Sequence, residues 1–156
     1  ITGEVILTVV ISAIVMVGLT LFTGKTRTGK AMRAVSEDRE AAQLMGINVN
    51  RTISTTFAIG SALAAVAGVL LCSTVPTLQP TTGSMPGIRA FTAAVLGGIG
   101  SMPGAMLGGV LLGIIETFSK KYISTDFSDA IVFGVLILIL LLKPTGLMGK
   151  QIQEKV

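Results

Sequence analysis

The run from Val5 to Phe22 carries no charged side chain, only the small polar residues Thr8, Ser12 and Thr20, and as a helix at 1.5 Å per residue it would be about 27 Å long. A segment of that length and apolarity belongs in a bilayer, where backbone polar groups must be satisfied internally and a helix does so within one segment. Ile53 to Val75 is a second uncharged run of the same kind. The composition agrees: 51% hydrophobic against 13% charged residues and a mean hydropathy of +0.82 are too apolar for a soluble domain of this size. The expected fold is all-α, a polytopic transmembrane helical bundle.

The third apolar stretch, Ala90 to Phe118, is charged only at Glu116, yet one helix over it would be about 43 Å long, well beyond a hydrocarbon core. It must be broken, and the break is written at Gly97, Gly98, Gly100, Pro103 and Gly104, residues that end helices and free backbone groups that cannot be left bare in lipid. The expectation is a half-helix over Ala90 to Leu96, a turn buried in protein, and a helix from about Gly104 to Phe118. Gly104 with Gly108, and Gly109 with Gly113, are G-x-x-x-G spacings that let helix backbones approach closely. Gly60, Ala64, Gly68 and Cys72 make a similar stripe on the second span, read as helix packing or, more sharply, as lining of a translocation path. A last run, Phe127 to Leu142, ends at Lys143-Pro144 before a polar tail with Lys150 and Lys155. The pentapeptide GSMPG occurs at Gly83 to Gly87 and at Gly100 to Gly104 and is read as repeated turn chemistry. Between the second and third stretches, Val75 to Gly87 carries Pro76, Pro80 and Pro86 and reads as an outer loop.

Between the first two spans lies a hydrophilic island, residues 23–52, with Lys25, Arg27, Lys30, Arg33, Arg39 and Arg51, half of the chain's 12 basic residues. Such an excess places a loop on the cytoplasmic face. Within it Ser36 reads as an N-cap, Glu37, Asp38 and Glu40 put negative charge where a helix dipole is positive, and Gly46 suits the left-handed conformation that ends a helix. Ala41 and Ala42, after Glu40, leave a low-profile surface that another protein could approach, with Arg39 at its edge. The same island contains GKTRTGK, Gly24 to Lys30, which fits a phosphate-binding loop until Ala31 replaces the required Ser or Thr; it also follows a membrane helix instead of a strand. It is read as a solvated basic turn.

Orientation follows from parity. If the broken stretch crosses as two pieces, Arg89, Lys120 and Lys121 face outward and the other nine of the 12 cations face the cytoplasm; a single crossing gives eight to four. Glu116, near its helix end and close to Lys120 and Lys121, is expected to find an interfacial partner rather than serve as a proton site. Tyr122 fits the interfacial belt.

The formal charge of +4 reflects this sidedness; no nucleic-acid partner is expected. The single cysteine allows no intrachain disulfide. There is no histidine, so the usual general base and commonest metal ligand are missing, and neither metal nor cofactor is expected. The chain opens at Ile1 and enters a membrane-length segment at once, which reads as a piece of something longer; that segment has neither the basic flank nor the cleavage site of a signal peptide.

Four stretches, GKAMRAVSEDREAAQLMGIN, TFAIGSALAAVAGVLL, AFTAAVLGGIGSMPGAMLGG and LLLKPTGLMG, resemble in order the C-terminal part of the permease subunit of bacterial branched-chain amino acid ABC transporters, the LivH type. The resemblance covers about Thr26 to Gly149. It implies a multi-pass inner-membrane permease without a nucleotide site of its own. Its partners would be a second permease subunit, two ATP-binding subunits and an extracytoplasmic substrate-binding protein. In that family Glu40, Ala41, Ala42 and Gly46 match the coupling-helix pattern, which seats in a groove of the ATPase, with Ser36, Glu37, Asp38 and Arg39 around it. Related permeases import urea or short amides, which is one alternative. A secondary transporter or channel is another, though no coupling-ion carboxylate beyond Glu116 is evident. An intramembrane enzyme is opposed by the lack of histidine and of paired intramembrane carboxylates.

Overall fold

The structure, a computed structural model, describes residues 2–149. Within them the chain is helical, with no strand: α1 Gly3–Lys25, α2 Arg27–Glu37, α3 Arg39–Leu44, α4 Val49–Thr74, α5 Ser84–Gly97, α6 Met102–Tyr122 and α7 Ser128–Leu142. α1, α4 and α6 are long and apolar enough to cross a membrane, and α7 is a shorter apolar helix. The helices fall into two compact units, 1–79 and 80–156. Lys150 and Lys155 of the expected polar tail lie outside the described residues.

In the first unit α1 ends at a sharp corner. Thr26 is extended (φ −84°, ψ 154°), and its hydroxyl accepts a hydrogen bond from the Gly29 amide at 3.1 Å, which starts α2. Gly29 is the residue on which the corner turns: a Cβ there would sit 2.5 Å from the Phe22 carbonyl oxygen and 2.6 Å from that of Thr23. α2 therefore crosses the last turn of α1 in backbone contact. The phosphate-loop look-alike Gly24 to Lys30 is thus the end of one helix and the start of the next, without a preceding strand.

The second unit is a three-helix arrangement built on an antiparallel α5–α6 pair. Leu96, Leu112 and Val132, one from each helix, form its core, with Ala93, Leu136, Ile139 and Leu147 packed around them. The break in the third stretch is present, with shifted edges. α5 begins at Ser84 instead of Ala90, because Pro86 falls in the first turn, where a missing N–H removes no intrahelical bond. α6 begins at Met102 instead of Gly104, because the Ser101 hydroxyl caps it by accepting from the Gly104 amide at 3.2 Å. Both GSMPG copies open a helix, one residue out of register: Gly83 precedes α5, whereas Ser101 precedes α6.

Candidate functional site

α3 is six residues long, too short to persist on propensity alone, and both its ends are fixed by specific bonds. Asp38, extended at φ −153° and ψ 114°, accepts through Oδ1 from the amides of Glu40 (2.9 Å) and Ala41 (3.1 Å). This satisfies two of the donors a helix start leaves free. At the other end the Gly46 amide donates to Gln43 and the Ile47 amide to Ala42, both at 3.0 Å. That is the paired closure of a Schellman motif, and it requires the positive φ that Gly46 adopts, +82°. Asn48 then caps α4 by accepting from the Arg51 amide at 3.1 Å.

Ser36 is not the N-cap that its place in the sequence suggests. Ser36 lies inside α2, its hydroxyl bonded back to the Arg33 carbonyl at 2.7 Å, and the cap is Asp38. The reason is the second helix: α2 runs on to Glu37 and leaves Asp38 as the one residue at the corner. Glu37 consequently sits in the last turn of α2, and only Asp38 and Glu40 meet the positive end of the α3 dipole. Ala42 is also not available at the surface. It is buried, on a helix that packs against α2 and α4, while Arg39, Glu40, Ala41 and Gln43 are exposed. Beside them stand Leu44 and Met45, 89% and 82% exposed. Sequence reasoning passed over this apolar pair; its signal was two large hydrophobics directly before a helix-ending glycine. Behind α3 a groove runs between α2 and α4, lined by Met32, Val35, Arg39, Thr52, Ile53 and Phe57 among others.

The glycines divide sharply. Within the second unit Gly97, Gly104 and Gly108 are packed backbone to backbone: a Cβ on Gly108 would meet the Ala93 carbonyl oxygen and lie 2.9 Å from the Gly97 nitrogen. Gly98 (φ +105°) and Gly100 (φ +91°) make the turn, with Pro103 in the first turn of α6. Gly109 is in ordinary contact with Ala93, and Gly113 has nothing within 4 Å of a Cβ. Gly60 and Gly68 are likewise open, and Ala64 and Cys72 are exposed. Of the two G-x-x-x-G spacings, therefore, only Gly104 with Gly108 packs within the described residues.

Two further features were not legible. The segment after α7 folds back on the end of α5, the Leu147 and Met148 amides donating to the carbonyls of Leu96 (2.9 Å) and Gly97 (3.0 Å). It satisfies two of the acceptors the half-helix leaves open. Gly98 and Gly146 permit the approach, since a Cβ on Gly146 would stand 2.7 Å from the Gly98 Cα and 2.7 Å from the Val95 carbonyl oxygen. At the opposite end of the same helices Arg89 bonds Glu116 and Asp129, each at 2.6 Å, and Lys120 also bonds Glu116. Glu116 thus has a cationic partner from its own helix, Lys120, and another from α5, Arg89. The bridges put the start of α5, the end of α6 and the start of α7 at one end of the unit. Tyr122 stacks on Phe118 and is exposed.

A family described as "Branched-chain amino acid transport system / permease component" matches residues 1–140. The high-affinity branched-chain amino acid transport system permease protein BraD of Pseudomonas aeruginosa is 52% identical over 151 residues, 97% of this chain and 49% of that protein. The corresponding LivH proteins of Escherichia coli K12 and Salmonella typhimurium LT2 are 51% and 50% identical over 147 residues, 94% of this chain and 48% of theirs. The chain spans about half the length of these curated relatives. No solved structure matches it significantly.

Proposed function

This chain belongs to the family of branched-chain amino acid transport permeases, and from that membership we propose that it is the C-terminal part of the permease subunit of an ATP-driven importer, with α3 as the element through which separate ATPase subunits move it. It is a multi-pass protein of the bacterial inner membrane, a reading supported by its apolar helices of membrane length. The substrate class taken from the relatives' names is branched-chain amino acids. The partners that go with this role are a second permease subunit, two ATP-binding subunits and an extracytoplasmic binding protein. The nucleotide chemistry resides in the ATP-binding subunits, and this subunit needs no cofactor.

The observation that carries the reading is the construction of α3. A six-residue helix is held at both ends by its own chain, set between two helices of membrane length, and turns Glu40, Ala41, Gln43, Leu44 and Met45 outward. Leu44 and Met45 supply an apolar contact, and Arg39 and Glu40 supply charges at its rim. α3 packs against α2 and α4, with Ala42 as its buried residue, so displacement of α3 is passed to the helices behind it. When the ATPases close around ATP the seated helix shifts, and the equilibrium of the path moves by as much as the partner's preference for one state over the other. Alternating access follows from a partner's binding energy.

The test is nucleotide hydrolysis by the assembled transporter in vesicles, with and without the binding protein and leucine. Glu40→Lys and Gly46→Trp are expected to abolish the substrate-stimulated part while leaving permease insertion intact. Stimulated hydrolysis unchanged in both variants would refute the coupling role of α3.

A further inference from the structure

We propose that the outer face of α2 is a binding surface for anionic phospholipid headgroups. Arg27, Lys30 and Arg33 recur at three-residue intervals and occupy about 120° of the helix circumference. All three are exposed, and Lys25 stands beside them at the end of α1. None of these side chains has an ion-pair or hydrogen-bond partner among the described residues, whose three salt bridges all lie in the second unit. One carboxylate, Glu37, falls on the same arc one turn beyond Arg33, so the stripe is cationic over its first two turns and neutralised at its far end.

The depth of this face is set by the corner. The apolar run of α1 ends at Phe22, before Thr23, Gly24 and Lys25, and α2 crosses α1 with Gly29 against the backbone of Phe22 and Thr23. The helix carrying the cations therefore lies at the level where the apolar run stops, the level of lipid phosphates for a helix that spans the bilayer. Its opposite side, Gly29 and Val35, is buried in the unit itself, so the free face is the charged one. Four cations next to a membrane helix match anionic lipid in charge and in position, and each contributes on the order of a fivefold preference for an anionic surface. The occupant is a headgroup of the surrounding bilayer; an ATPase subunit on the same face is the competing outcome.

The test uses the full-length permease, exchanged into mixed phosphatidylglycerol and phosphatidylcholine and then purified in mild detergent, with retained lipids counted by native mass spectrometry. The wild type is expected to retain phosphatidylglycerol in preference to phosphatidylcholine. The preference should collapse in about 1 M salt, where the screening length is about 3 Å. Arg27→Gln with Lys30→Gln and Arg33→Gln should lose it, and the charge-keeping set Arg27→Lys, Lys30→Arg and Arg33→Lys should keep it. A wild type without the preference overturns the proposal even if no variant can be made. So does a glutamine variant that still selects phosphatidylglycerol, including one that at the same time no longer co-purifies with ATPase subunits. Lipid retention does not depend on hydrolysis, so failure of this proposal and failure of the coupling role are told apart.

Discussion

Gly108→Ala and Gly113→Ala are the same chemical change one and a half turns apart on α6, and they are expected to have opposite effects. A methyl on Gly108 would meet the Ala93 carbonyl oxygen and stand 2.9 Å from the Gly97 nitrogen and 3.2 Å from its Cα. Ordinary contact between such atoms needs about 3.5 Å or more, so α5 and α6 must separate by roughly 0.5–1 Å, which forfeits a quarter to a half of each contact well along the seam. Leu96, wholly buried beside Gly97, and Leu112 lose their packing with it. Overpacking of this kind costs about 1–3 kcal/mol, and the better helix propensity of alanine returns about 0.5–1, leaving a net loss of up to about 2.5. Gly113 has nothing within 4 Å of its would-be methyl, so only the propensity gain of about 0.5–1 kcal/mol applies. The propensity gain is common to both, so the two variants should differ by the overpacking cost of about 1–3 kcal/mol, roughly a 5- to 150-fold difference in the folded population. The assay is the unfolding midpoint of the purified permease, without partner subunits, titrated with SDS in mixed micelles. A Gly113→Ala loss equal to that of Gly108→Ala, or no loss at Gly108, would refute the assignment of the α5–α6 seam.

Three other substitutions probe the remaining joints. Asp38→Ala removes the α3 cap and about 1 kcal/mol, read as roughly fivefold faster hydrogen exchange at the Glu40 and Ala41 amides with α5–α7 unchanged; equal protection would mean Asp38 does not hold the helix. Gly46→Ala meets no atom but must keep a positive φ at about 1–2 kcal/mol, so exchange at Gly46 and Ile47 should rise, and Gly46→Asn should be milder. Arg89→Gln leaves Glu116 and Asp129 without their shared cation. With Arg89 and Asp129 each more than a third exposed, the expected loss is about 0.5–2 kcal/mol for the two bridges together. A double-mutant cycle with Asp129→Asn should recover part of it, and strict additivity would exclude the bridge.

The positions of the long apolar helices were legible because each rests on a local quantity, the absence of charge over a membrane's length. The position of the break was legible for the same reason, since a stretch too long for the bilayer contained a dense glycine cluster. The edges were not. Pro86 read as a loop residue, yet it opens α5, because proline is penalised inside a helix and not in its first turn. The N-cap of α3 was misplaced because Ser36 and Asp38 are both good caps before an apolar run, and the choice between them depends on where α2 ends. Which glycines pack was equally hidden: Gly60, Gly108 and Gly113 share spacing patterns, and only the neighbouring helix separates the buried one from the bare ones. The Arg89 bridges and the return of residues 143–149 onto α5 join positions far apart in the chain, and no periodicity records such a pairing.

The caps around α3 bear on how a partner would engage it. A short surface helix that formed only on docking would charge the ordering of its residues, on the order of 1–2 kcal/mol each, against the partner's affinity. Here the corner at Thr26, the Asp38 cap, the Gly46 closure and the Asn48 cap follow one another within residues 26–51, and each is made inside this chain. Ala42 adds a packed contact behind them. The surface of Glu40, Ala41, Leu44 and Met45 is therefore shaped before any partner arrives, and binding there need not order the backbone. In the proposed coupling role the same stiffness would have a mechanical use. A segment that bent freely would absorb a partner's displacement, whereas one braced against α2 and α4 passes it to them, so that loss of a cap should weaken transmission more than it weakens docking.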